Sequence, residues 1–333
     1  MFILENYALA VIFCVVTMLC WGSWANTQKL VRRGWRFELF YWDYSFGVLL
    51  LSLLFALTLG SFGTQGRGFF EDLGQAEPYR LGLAFLGGVV FNAANILLVA
   101  AIDIAGMAVA FPVGIGLALV LGVVVNYIGN PVGNALVLFA GVAFVVIAIL
   151  LDATAYRRLP AGGKGVSARG LLLSVACGIL MGFFYRFVAA AMSTDFAHLE
   201  PGRLGPYAAV FVFALGLVVS NFLFVTLIMR HPFSGEPVSP SAYFGGDAKT
   251  HAVGILGGMI WGVGMSFNII ASGQAGFAIS YGLGQGATMV AALWGVFIWR
   301  EFKDAPAGTG RLLALMFASF IIGLALIILA RNL

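Results

Sequence analysis

The sequence predicts an all-α membrane protein of ten transmembrane helices arranged as an inverted five-plus-five repeat. Three observations predict it. Of the 333 residues, 61% are hydrophobic and only 10% are charged, against about 45–50% and about 25% in an ordinary soluble domain. Ten apolar stretches each approach the roughly 20 residues that a spanning helix needs. The third and fourth stretches reappear 170 residues later as the eighth and ninth. With 18 basic and 14 acidic side chains, the chain cannot cover a soluble surface of its size. That excludes a soluble enzyme, a nucleic-acid-binding domain and a disordered chain. The 44 glycines suit helices that approach one another closely in lipid.

The first span covers 6–28. Its start, MFILENYALAVIF, has no basic region ahead of the apolar run and reads as a helix rather than a cleaved signal peptide. The basic segment with Arg32, Arg33 and Arg36 separates it from the second span, 40–60. The others are 81–102, 104–127, 132–154, 169–193, 205–229, 251–272, 273–299 and 310–331. Joints at Asp103, at Gly129–Asn130 and near Gly273 are short enough to force antiparallel neighbours. Loops 61–80, 155–168 and 230–250 hold most of the Gly, Pro and charge. None can hold a soluble domain, so 1–333 is a single transmembrane domain, with repeats over 1–158 and 169–333.

Basic residues set the orientation. With the N-terminus outside, the cytoplasmic segments carry Lys29, Arg32, Arg33, Arg36, Arg157, Arg158, Lys164, Arg169, Arg230, Lys249, Arg300, Lys303 and Arg311. The outer segments carry Arg67, Arg80, Arg203 and Arg331. The excess inside follows the positive-inside rule, so both termini are expected outside a bacterial-type inner (plasma) membrane.

Residues 82–124 laid over 252–294 without a gap match at Leu86, Gly87, Gly88, Ala101, Ala105, Gly106, Ala108, Gly114, Gly116 and Val120. Two Gly-rich membrane helices share some likeness by composition, but five of these matches are glycines in one register. A unit of five helices is odd, so the second copy enters the membrane from the opposite face. Inverted repeats are common in secondary transporters, whose substrate site lies near the midplane between the halves.

Ten helices in this arrangement resemble the drug/metabolite transporter superfamily. A closer resemblance runs from Leu86 to Arg158, carried by Gly87-Gly88, the Asn92/Asn95 pair, Gly122 with Asn126-Tyr127, and LFAGVAFVVIAI. This segment is similar to the ureide permease family, as is YWDYSFGVLL with Tyr41, Asp43 and Tyr44. CWGSWANTQKL resembles first helices of that family and of the related glucose/ribose-type sugar uptake transporters. The resemblance covers the first half; the second is matched through the repeat. It implies uptake of ureides such as allantoin, nucleobases and similar heterocycles, driven by protons, with sugars carried in related branches.

Polar groups at midplane depth are costly in hydrocarbon and so mark candidate sites. Trp21 and Trp24 share nearly one face of the first helix, either lining a cavity or lying at the interface with lipid. Asn92 and Asn95 both donate and accept, toward a substrate or toward another helix. Tyr281 and Gln285 lie amid Gly282, Gly284 and Gly286, where the repeat partners Phe111, Pro112 and Ile115 are apolar. Trp261 and Asn268 point to the same region. Arg186, preceded by Tyr185, is the one basic residue well inside a span. It is a gate or ion pair, a substrate donor, or a side chain snorkelling outward. Asp43 is either a helix N-terminal acid or the acceptor of a coupling proton. Asp103, Asp152 and Glu301 read as anchors at helix ends.

No enzyme is indicated. There is no Walker-type phosphate loop and no nucleophile–base constellation, and GLGQG at 282–286 has no strand before it. Cys14, Cys20 and Cys177 read as packing residues, and His198, His231 and His251 fall in or beside loops without metal-ligand spacing. The expected partners are a small neutral solute, the lipid bilayer and protons as coupling ion, with no cofactor, metal or nucleic acid, in a monomer or weak homodimer. The leading function is import of a ureide or nucleobase by alternating access. A sugar is the alternative. An exporter of drugs is disfavoured because no Glu lies in mid-span.

Overall fold

The computed structural model describes residues 1–159, 167–233 and 235–333. Lys164, counted above on the cytoplasmic side, lies outside the described residues. Ten described helices are long and apolar enough to cross a membrane: α1 Tyr7–Leu30, α2 Phe37–Leu57, α3 Pro78–Ala105, α4 Phe111–Gly129, α5 Ala135–Arg157, α6 Ala168–Ala191, α7 Pro206–Arg230, α8 Ala248–Ala275, α9 Phe277–Ile298 and α10 Thr309–Leu329. In lipid a helix satisfies its backbone groups internally, which leaves its first N–H groups to be capped. Asn6, Asn134, Ser167 and Asp247 accept from Leu9, Val137, Gly170 and Thr250 at the starts of α1, α5, α6 and α8. Pro78 and Pro206, which lack an N–H, open α3 and α7.

Two joints differ from the expectation. The turn between α3 and α4 falls at Gly106, not Asp103, and the turn between α8 and α9 falls at Gly276, not Gly273. Asp103 continues α3, and Gly273 continues α8. At each turn the glycine adopts positive φ, 79° and 82°, which a side chain disfavours. Each also ends a helix of 28 residues.

The most extensively packed pairs of spans not joined by a single turn are α3 with α6, α1 with α8, α2 with α8, α3 with α7, α4 with α6, and α1 with α9; α5 packs on α10, α2 on α7 and α4 on α9. Exchanging every helix for the one five places away maps this set onto itself. The tightest crossings are backbone to backbone. A Cβ on Gly88 of α3 would overlap the Phe213 carbonyl of α7, and one on Gly258 of α8 would overlap the Tyr44 carbonyl of α2. Besides the 3-10 end of α1 at Trp24–Leu30, regular helix is interrupted at overlapping repeat positions in α4 and α9. Phe111–Ile115 of α4, with Pro112, forms a π turn, and α9 breaks at Gln285 and Gly286. Such breaks in membrane helices are tolerated where they are buried in protein or line a cavity.

Candidate functional site

The interrupted α4 and α9 face a cavity of about 860 Å³ walled by parts of α1, α2, α3, α4, α6, α7, α8 and α9 and by the segment after α7. Its mouth is marked by residues at helix ends: Arg36 and Glu38 where α2 begins, and Asp103 where α3 ends. Arg36 holds Glu38 through two contacts, Nε at 3.2 Å and an amino nitrogen at 2.7 Å. The deep end lies at mid-helix. There Trp21, Phe91, Phe184 and Trp261 supply ring surface, and Asn95 and Gln285 supply amides.

Packing fixes these side chains in place. The Trp21 and Trp261 rings stack at 5.7 Å and 14°, and the Trp21 Nε1 donates to the Trp261 carbonyl at 3.3 Å. Phe91 lies 4.5 Å from Trp261. Trp24, also on the wall, rests on Tyr44 at 4.5 Å. Asn95 donates to the Tyr41 hydroxyl at 3.0 Å, which fixes the amide while the residue still lines the cavity. The Gln285 side chain makes no hydrogen bond to any described residue. It is a donor and an acceptor presented together. Among the described residues of the deep end none is charged. Flat aromatic surface beside uncharged amide edges suits a neutral, planar, polar solute.

The other residues singled out in the sequence lie elsewhere. Asn92 is buried between α3 and α7, donating to Ser220 Oγ at 2.7 Å and Asn221 Oδ1 at 2.8 Å, so helix–helix bonding takes up its amide nitrogen. Tyr185, Asn268 and Tyr281 form a closed plug on the side away from the mouth. The Tyr281 hydroxyl reaches the Ala118 carbonyl at 3.1 Å and the Met181 carbonyl at 3.2 Å. Tyr185 and Ser280 share a hydroxyl bond of 3.0 Å, and Asn268 donates to the Ser280 carbonyl at 2.7 Å. Arg186 is half-buried, its guanidinium against Gly129 at the end of α4; no described carboxylate pairs with it.

Asp43 is not a first-turn acid; Glu38 occupies that place in α2. Asp43 is buried and accepts from the Tyr243 hydroxyl at 2.5 Å and from His251 Nδ1 at 2.9 Å. Burial, and then the bond to Asp43, raise the Tyr243 hydroxyl above the usual phenol range, so it stays a donor. Asp152, expected as an anchor, is buried with an unpartnered oxygen, whereas Glu301 accepts from Tyr156 at 2.8 Å.

Sequence reasoning marked Tyr41 only within a motif, and it missed Phe91, Phe184 and the His251–Tyr243 cover on Asp43. The repeat register offered one signal, since Phe91 is the equivalent of Trp261. The join of Asp43 to His251 spans 208 positions, and nothing local marks it.

The family model described as ureide permease matches residues 40–162 and 164–330, so the likeness extends through the second half as well. Ureide permease 1 of Arabidopsis thaliana is 23% identical across 98% of this chain and 98% of its own. Ureide permease 4 of the same plant is 22% identical over the same shares. The Staphylococcus aureus "Probable glucose uptake protein GlcU" is 29% identical over 123 residues, 36% of this chain and 37% of its own. A solved crystal structure superposes over 98% of this chain and 99% of its own with a TM-score of 0.62 at 18% identity, which is a shared fold.

Proposed function

The chain belongs to the ureide permease family, and from that premise we propose that it takes up a small neutral metabolite, a ureide or a nucleobase, by proton-coupled alternating access. The observation that carries this reading is the deep end of the cavity, where Trp21, Trp261 and Phe91 stand beside the amides of Asn95 and Gln285. A heterocycle entering it exchanges water for ring faces and for a donor and acceptor already in place. Because the site's own amides are left unpaired by an analogue lacking the polar edge, such a site discriminates strongly.

With the basic residues inside and both termini outside, the mouth at Arg36 and Asp103 opens to the cytoplasm. The hydrogen-bonded plug of Tyr185, Ser280 and Tyr281 then faces outward, and the cavity is inward-open. The helix pairing and the matched Gly106 and Gly276 turns support an inverted repeat. In such a repeat the halves exchange conformations and expose the site to each side in turn.

The partial match to a glucose uptake protein favours sugar as the second reading, and tryptophan faces suit a sugar ring too. Sealed proteoliposomes given allantoin, uracil, xanthine, glucose and ribose, with and without a pH gradient, separate the readings. Saturable uptake of allantoin or a nucleobase, increased by an inward proton gradient, is expected. Uptake of glucose or ribose alone would transfer the assignment to sugars.

A further inference from the structure

Asp43 is 1% exposed and does not line the cavity. Its two carboxylate oxygens accept from His251 Nδ1 at 2.9 and 3.0 Å, and one also accepts from Tyr243 at 2.5 Å. His251 sits in the first turn of α8 with 23% of its side chain exposed. Tyr243 belongs to the short 3-10 segment Pro240–Gly245 that precedes α8. A buried carboxylate with no cation beside it is costly. Imidazole is the partner that can gain or lose a proton near neutral pH. The pair therefore has two states: electrically balanced with one proton bound, and a lone negative charge at the α2–α8 crossing without it. The proton belongs to the pair rather than to either residue.

The surroundings of the pair come from four directions. Against Asp43 stand His251 and Gly254 of α8 and Tyr243 of the preceding segment. Against His251 stand the edge of Trp35, 5.6 Å away, and Tyr243. Asp247 caps α8 one turn earlier, within the influence of Arg32 and Lys249. Tyr41 and Tyr44 flank Asp43 on α2.

Those two tyrosines join the pair to the cavity wall. Tyr41 accepts from Asn95. Tyr44 packs on Trp24 at 4.5 Å and meets Trp261 edge-on at 6.2 Å. The Tyr44 carbonyl lies against Gly258 with no room for a Cβ, so α2 cannot shift on α8 without moving both tyrosines. We propose that the Asp43–His251 pair, covered by Tyr243, is the proton-binding site of transport, acting on the cargo cavity through α2 and not by touching cargo. The proton arrives and leaves through the exposed edge of His251, and no covalent bond besides that to the proton changes. This rests on the transporter reading, but its test does not need the cargo.

The test uses the full chain in liposomes, with Cys14, Cys20 and Cys177 replaced by Ala and a reporter Ala291→Cys on the cavity wall. The labelling rate of the reporter, divided at each pH by that of free cysteine so that the thiol's own ionisation cancels, is followed from pH 5 to 8, the usual imidazole range, without substrate. This normalised rate is expected to change about fivefold or more in the parent across that range, the lower end of ordinary coupling. Asp43→Asn and, as a second variant should that one fold poorly, His251→Gln are expected to give flat profiles. Asp195→Asn, which disrupts the exposed Asp195–His198 pair, is expected to keep the parent profile. Allantoin and uracil uptake with and without a pH gradient is measured in parallel, and Asp43→Asn is expected to lose the gradient's effect. A flat profile in the parent overturns the proposal whatever the cargo. So does a parent-like profile in both Asp43→Asn and His251→Gln. If labelling behaves as expected but neither solute is taken up, the proton site stands and the ureide or nucleobase reading falls.

Discussion

Four positions of α3, α4 and the short segment Met107–Ala110 between them, namely Leu98, Ala110, Phe111 and Ile115, correspond in the repeat register to Asn268, Ser280, Tyr281 and Gln285 of α8 and α9. The first set is apolar, and Leu98, Phe111 and Ile115 line the open cavity. In the second set, Asn268, Ser280 and Tyr281 close the opposite side through side-chain hydrogen bonds, while Gln285 alone reaches the cavity. Similar backbone geometry thus carries two kinds of boundary. A seal of hydrogen bonds needs each partner in place and loses roughly 1 kcal/mol when one bond is removed. An apolar wall is non-directional and tolerates sliding and swaps of equal volume. The second set thus supplies a directional seal and one cavity amide, and the first an apolar wall.

The sharpest way to break this contrast is to make the halves alike. Gln285→Ile gives the second half the residue of the first. It should lower kcat/KM for allantoin or uracil uptake by on the order of 10²-fold, as a site does when a cargo's polar edge loses its partner. Tyr281→Phe keeps the ring and deletes one shared donor. Its loss of about 1–1.5 kcal/mol should raise labelling of an Ile115→Cys reporter from the plugged side by roughly tenfold. Tyr185→Phe removes the bond to Ser280 and should raise the same labelling less, by about fivefold for about 1 kcal/mol. The smallest effect belongs to the smooth wall. Leu98→Ile conserves volume and should leave uptake within about twofold, in keeping with tolerated core swaps; a larger loss would show that the first half also makes specific contacts.

The sequence made the span count legible because ten apolar runs of sufficient length need no knowledge of neighbours. The joints shifted by three residues because a positive-φ glycine ends α3 and α8, whereas hydropathy had marked Asp103 and the first glycine of the pair Gly273 and Gly276. Depth marked the layer in which the cavity lies but not which face of a helix lines it. Asn92 and Asn95 are nearly equal in depth, yet Ser220 and Asn221 of α7 engage one amide and the cavity receives the other. What turns Asn92 away from the cavity is a pair of partners more than 100 positions away. Phe91 and Phe184 were passed over because a phenyl ring in a membrane helix carries no polar mark. Asp43 was singled out by its charge, but its partner His251 reads as the first residue of the eighth span, beside a loop, and only the packing of α2 on α8 joins them.

The central claim is that Gln285 and the aromatic wall around it hold the cargo, and the most direct measurement is the uptake of labelled allantoin and uracil into sealed proteoliposomes by the parent, Gln285→Ile and Ile115→Val side by side. The account predicts saturable uptake by the parent and by Ile115→Val, and its loss in Gln285→Ile at equal amounts of folded protein. Uptake by Gln285→Ile equal to that of the parent, or no uptake of either solute by the parent, would contradict it.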